Sequence, residues 1–224
     1  MKTERPNIPL TIANLVRTAR PVSPLRDPST RAARWVVAAA ALMLWSVGIL
    51  GPRADIAAHL MDGGFLARAT ATLAVAIAAA VLAFVISVPG VEPSLRLRAW
   101  ALLACVVWPA ILIITIATTG PPLELVLHVT PHPACVLRIA AAAVAPWILL
   151  VHMLRLAAPL QPRRTGGLAG LASLALGAIG AQLVCIDDGA AHQLLWHFTP
   201  VVLLTIATFS FGSLVFDTRH PQPL

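Results

Sequence analysis

Six stretches of the chain stay apolar for long enough to cross a bilayer, and short polar segments separate them. They fall near residues 35–51, 70–89, 99–119, 135–157, 167–185 and 194–216. At a rise of about 1.5 Å per residue, roughly 20 residues cover the hydrocarbon core. Ala and Leu dominate these runs, which favours helices over strands. The alternating segments of about ten residues that build a barrel wall do not occur. The pattern predicts an all-α fold, a polytopic bundle of six transmembrane helices. A polar, Pro-containing segment, residues 1–34, precedes the first run, and no small-residue cleavage site follows it. That run is therefore expected to be a true span rather than a signal peptide. Residues 217–224 form a short tail.

Composition narrows the classes further. The chain has 224 residues, 58% of them hydrophobic and 11% charged, where a soluble domain has about 45–50% and about 25%. There is too little polar surface to cover a water-exposed domain, so a disordered chain, a secreted disulfide scaffold and a nucleic-acid-binding domain are excluded as the main body. The net charge of +7 points to anionic lipid rather than to nucleic acid, because of where the cations fall. With the N-terminus inside, Lys2 and twelve arginines lie on the inner side, leaving Arg53, Arg68 and Arg138 outside. This bias predicts that both termini are cytoplasmic.

The leader has a pattern of its own. Ile8, Ile12, Leu15 and Val16 recur at helical spacing and make an apolar stripe, with Arg17 and Arg20 close by. Pro21, Pro24 and Pro28 then end the helix and give a stiff linker. So short a helix is marginal in water. It orders on contact, either with lipid or in the groove of a soluble partner.

The candidate chemistry lies on the expected outer face. Cys135 opens the fourth span and Cys185 closes the fifth, which places the two thiols at similar depth in an antiparallel hairpin. The fifth span carries Gly166, Gly170, Ser173, Gly177 and Gly180, a stripe of small residues that lets helices pack closely. His128, His132, Asp187, Asp188 and His192 surround the thiols along the chain. Thiolate and imidazole together suit zinc, copper or cadmium, so a soft metal ion is the one ligand this pattern suggests. A Cys135–Cys185 disulfide and a pair of unreactive thiols are equally open readings. Cys105 reads as a small core residue. His152 and His197 read as interhelical hydrogen-bonding groups. Trp35, Trp100 and Trp196 read as interfacial anchors, and Trp45, Trp108 and Trp147 as packing within the spans. No nucleophile–base–acid set, phosphate loop or zinc-protease motif occurs, so no catalytic residue is assigned.

In order and spacing the chain resembles the NrsF-type anti-sigma factors, a proteobacterial family of six-span inner-membrane proteins. The residues that carry the resemblance are 14–26 in the leader, Gly51-Pro-Arg-Ala-Asp-Ile56 with Arg53 and Asp55, and Phe65-Leu. Further on come Ser87-Val-Pro-Gly90 with Pro89, and His132-Pro-Ala-Cys-Val-Leu-Arg138. Ala158-Pro159, the glycine-rich fifth span, Cys185-Ile-Asp-Asp-Gly and Leu195-Trp196-His197 complete it. The family usually has a Tyr where His197 stands here. The resemblance implies a regulator that holds an extracytoplasmic-function (ECF) sigma factor at the membrane through the leader. It further implies release of that sigma factor on an outside metal or oxidant signal sensed by Cys135 and Cys185. Its partners are then the sigma factor and the bilayer, with no direct nucleic acid and no small-molecule substrate. Two other readings of the bare pattern are a small metal or solute permease with an outer Cys/His entry site, and a membrane thiol oxidoreductase.

Overall fold

The computed structural model describes residues 12, 16–17, 25–119 and 132–216, and all regular structure among them is helical. Six long helices follow one another: α1 Pro28–Leu50, α2 Gly63–Ile86, α3 Leu95–Thr119, α4 Pro133–Arg155, α5 Pro162–Val184 and α6 Ala190–Val215. A single helical turn, Ile56–His59, lies between α1 and α2. Several helices start before their apolar runs because their caps are polar. Asp27 accepts the Ser29 N–H at 2.9 Å ahead of Pro28, and Asp62 accepts the Phe65 N–H at 2.6 Å. Arg31 and Arg34 thus belong to α1 itself.

α5 is the centre of the bundle, with α1, α2, α4 and α6 packed on it. Its composition explains why. A Cβ added at Gly166 would stand 2.7 Å from the Gly212 Cα on α6, and one at Gly177 would stand 2.5 Å from the Ile139 carbonyl oxygen on α4. At Gly180 the nearest atom is Met43 Cγ on α1, at 3.2 Å. The small-residue stripe therefore faces three helices, and against α4 and α6 the backbones approach closely because no side chain intervenes. Gly177→Ala is expected to destabilise the bundle by about 1–3 kcal/mol. Gly48→Ala, where the added methyl meets nothing within 4 Å, is the matched control. Thermal unfolding in detergent checks the pair, and equal melting temperatures would contradict the packing.

The outer surface of the bundle is apolar: Val37, Trp45, Leu102, Ile148, Leu203 and Leu214 are all exposed. Six helices long and apolar enough to cross a membrane, with such side chains turned outward, describe a multi-pass membrane protein. Because core and lipid faces are equally apolar, sequence alone misplaced several side chains. Trp35 is in the core and not an anchor; its indole N–H donates to the Pro146 carbonyl at 3.0 Å. Trp45 is not packed but 72% exposed, and Cys105 is exposed rather than in the core. The reason is the register of α1, whose buried face is Arg31, Trp35, Ala39, Met43 and Val47. His152 is exposed and lies between no helices.

The two ends of the bundle differ. At one end the start of α1 meets the end of α4, where Arg31 donates to the Met153 carbonyl. There too Arg155 donates to the Val215 carbonyl at 2.6 Å, and Gly212 abuts Pro162. The leader joins α1 at this end. The opposite end carries the turn after α1, the start of α4, the end of α5 and the start of α6.

Candidate thiol–imidazole site

Four side chains converge at the end remote from the leader. Cys135 sits in the first turn of α4, and Cys185 caps α5 in extended conformation. Their sulfurs are 3.6 Å apart. His192, in the first turn of α6, brings Nε2 to 3.6 Å from the Cys135 sulfur and 3.5 Å from the Cys185 sulfur. His197 completes the group: one donor atom from each of Cys135, Cys185, His192 and His197 lies within 4.8 Å of all the others, and all four residues are buried.

His197 arrives there through an irregular turn. Residues Leu194–Phe198 form a π turn, closed by the Thr199 N–H on the Leu194 carbonyl. Pro200 accounts for it, since a proline ring in a regular helix clashes with the carbonyl four residues back and leaves it without a donor. The widened turn carries both histidines to one side of α6. Trp108 of α3 backs the turn, edge-on to Phe198 at 5.1 Å.

Around the four lies a polar rim. Asp187 Oδ2 is 3.2 Å from His192 Nδ1, off the line of a good hydrogen bond. The His132 ring stands edge-on to His192, with centroids 4.8 Å apart. His132, Asp187 and His192 thus make a second, more open group that shares His192. Cys185 lies outside the helices proper, and its thiol is held below the ordinary thiol range, first by the Cys135 thiol and then, against the cost of burial, by His192.

Beside this rim sits an ionic knot built around one buried arginine. Arg53, with its side chain 2% exposed, donates from Nε and Nη2 to Asp55 at 2.6 and 3.0 Å. Its Nη1 donates to Asp188 at 2.6 Å. His59 Nε2 meets Asp55 at 3.0 Å and Asp188 at 3.2 Å. The Arg53 backbone N–H donates to the Leu183 carbonyl at 3.0 Å. Arg53 holds the Asp55 carboxyl well below the usual carboxylate range by hydrogen bonding. The turn after α1 is thereby tied to the loop that carries Cys185, Asp187 and Asp188.

The remaining motif residues fall elsewhere. Pro89 and Gly90 make the turn after α2, with the Val91 N–H on the Val88 carbonyl; Gly90 has φ +79°, which a side chain would strain. Arg138 is half-buried one turn past Cys135, and Trp196 is half-buried with its indole nitrogen inside the π turn region. In the leader, Ile12, Val16 and Arg17 are helical and exposed. Ile8, Leu15, Arg20 and His128 lie outside the described residues. Sequence reasoning missed His59 and His197 as neighbours of the site. Pro200, three residues after His197, was the available signal for the second.

The six-helix membrane bundle thus carries buried thiols and imidazoles at one end and the start of α1 at the other. The family model described as NrsF, negative regulator of sigma F, matches residues 15–217, and the chain belongs to that family. The family makes it a negative regulator of a sigma factor, which is its protein partner. No curated protein and no solved structure matches the chain.

Proposed function

We propose that this protein is a membrane-bound anti-sigma factor that holds an ECF sigma factor at the cytoplasmic face of the inner membrane. It releases that sigma factor when Cys135 and Cys185 meet a metal or an oxidant from the periplasmic side. It acts by binding and carries out no catalysis. Residues 1–27 are the sigma-binding segment and linker, and the helices from Pro28 onward form the sensor. Both termini are cytoplasmic, as the crowding of arginines at the leader end favours.

The observation that carries the reading is the pair of buried sulfurs 3.6 Å apart, at the end of the bundle opposite to the leader. A reaction there reaches the leader through rigid parts. Cys185 and Asp188 share one loop; Asp188 accepts from Arg53; Arg53 lies three residues past the far end of α1, whose near end carries the leader. A shift of the loop by one ligand bond length thus displaces α1 along or about its axis. Flux through the bundle, which the permease reading requires, finds no support in a central helix packed by backbone contact against α4 and α6 and by the Met43 side chain against α1.

The test is capture of the sigma factor from solution by membranes bearing the full chain, and its loss into the soluble fraction when the leader is removed. Equal distribution with and without the leader would contradict the docking.

A further inference from the structure

We propose that Cys135, Cys185, His192 and His197 form a tetrahedral site for one divalent cation of the zinc or cadmium type, with His197 as the fourth ligand. The assignment takes its biological meaning from the sensor reading above, while its chemistry stands without any sigma factor.

Three of the four donors already occupy one face of the required tetrahedron. Metal–sulfur bonds of about 2.3 Å and metal–nitrogen bonds of about 2.05 Å give edges of about 3.8 Å between sulfurs and about 3.6 Å between sulfur and nitrogen. The observed edges are 3.6 Å between sulfurs, and 3.6 and 3.5 Å from the sulfurs to His192 Nε2. A disulfide would instead need the sulfurs to close to about 2.05 Å and would leave both imidazoles unused.

His197 supplies an independent observation. It is 1% exposed, and neither ring nitrogen has a hydrogen-bond partner among the described residues. Burying an imidazole with no partner costs free energy that a ligand bond offsets. Nor is its position incidental to the helix. Residues five apart in a regular α-helix stand ~140° apart around the axis, so His192 and His197 would diverge there. The π turn at Leu194–Phe198 removes that divergence, a use for which such turns are known at functional sites.

Charge agrees with the burial. Two thiolates and two neutral imidazoles around a divalent ion sum to zero, the one balance that a site at the edge of hydrocarbon tolerates cheaply. Binding replaces whatever protons the four donor atoms still carry with metal–ligand bonds, and those protons leave to solvent. Asp187 Oδ2 stands 3.2 Å from the other nitrogen of His192, close enough for its charge to favour the tautomer that leaves Nε2 free for the metal. The oxygen-bearing alternative, His132 with Asp187 and His192, suits such an ion less, because it lacks sulfur.

The test is titration of the reduced, full-length protein in detergent with cadmium chloride. The proposal expects one cadmium per chain and an ultraviolet sulfur-to-cadmium charge-transfer band of two-thiolate intensity. Asp187→Asn should weaken binding about 10-fold, and His197→Phe by about 100-fold or more. His197→Cys should restore tight binding and raise the band to three-thiolate intensity, which also answers the case in which His197→Phe fails to fold. Wild-type affinity in His197→Phe, an unchanged band in His197→Cys, or no cadmium bound by the wild type would each overturn the site. Because no sigma factor is present, such a failure leaves the anti-sigma reading standing. Intact cadmium binding by membranes that retain no sigma factor would do the reverse.

Discussion

Deletion of residues 1–26 is expected to free the sigma factor while the six helices stay folded in the membrane. Asp27, which caps α1, is retained in that variant, so the bundle keeps its first helix end. What is lost is the stripe of Ile8, Ile12, Leu15 and Val16. Of these, Ile12 and Val16 are helical and exposed, one turn apart, as the anchors of a helix laid in a groove must be. A buried anchor of this kind contributes about 2 kcal/mol, or about 30-fold in affinity. Ile12→Asp and Val16→Asp should each weaken sigma binding by that order, and the full deletion should abolish it. Pull-down of the sigma factor with the purified chain, and a sigma-dependent reporter in cells, measure both. A deletion that leaves the reporter silent would remove the leader from the mechanism.

The second large effect concerns the thiols. Cys135→Ser with Cys185→Ser is expected to give a protein that still holds its sigma factor but no longer responds to cadmium. Serine matches the thiol in size, and its oxygen is a far poorer ligand for a soft ion. In the wild type, a coupling of about 1–3 kcal/mol would lower sigma affinity about 5–150-fold on metal binding. In the double variant the ratio should fall to one. Sigma affinity measured with and without cadmium gives that ratio directly. An unchanged response would exclude both sulfurs, and constitutive release would show that the thiols hold the resting state instead. Arg53→Met separates signal from sensing. It should leave cadmium binding intact while uncoupling it from sigma release, since it cuts the tie between Asp188 and the far end of α1.

Long apolar runs made the six helices legible before any coordinates, since nothing else in a protein needs 20 such residues in a row. The hairpin of α4 and α5 was legible too, from the short connection between them, and so was the shared depth of Cys135 and Cys185. Faces were not. Trp35 and Trp45 exchange their expected roles because lipid and core select the same side chains, and only packing distinguishes them. His197 escaped for a different reason. It reads as an interhelical hydrogen-bonding group because a regular helix would set it ~140° from His192, and the π turn before Pro200 moves it onto the side of His192. The Arg53–Asp55–Asp188 knot joins residues far apart in sequence, and no periodicity could have paired them.

The account depends most on the bilayer lying between the sulfurs and the leader. A single cysteine kept at Cys135 or Cys185, against one introduced at Val16, can be labelled on intact cells with a membrane-impermeant maleimide. The native sulfurs are expected to react from outside once mild denaturant exposes them, and the leader cysteine only after the membrane is permeabilised. Labelling of the leader on intact cells, or protection of both positions alike, would contradict signalling across the membrane.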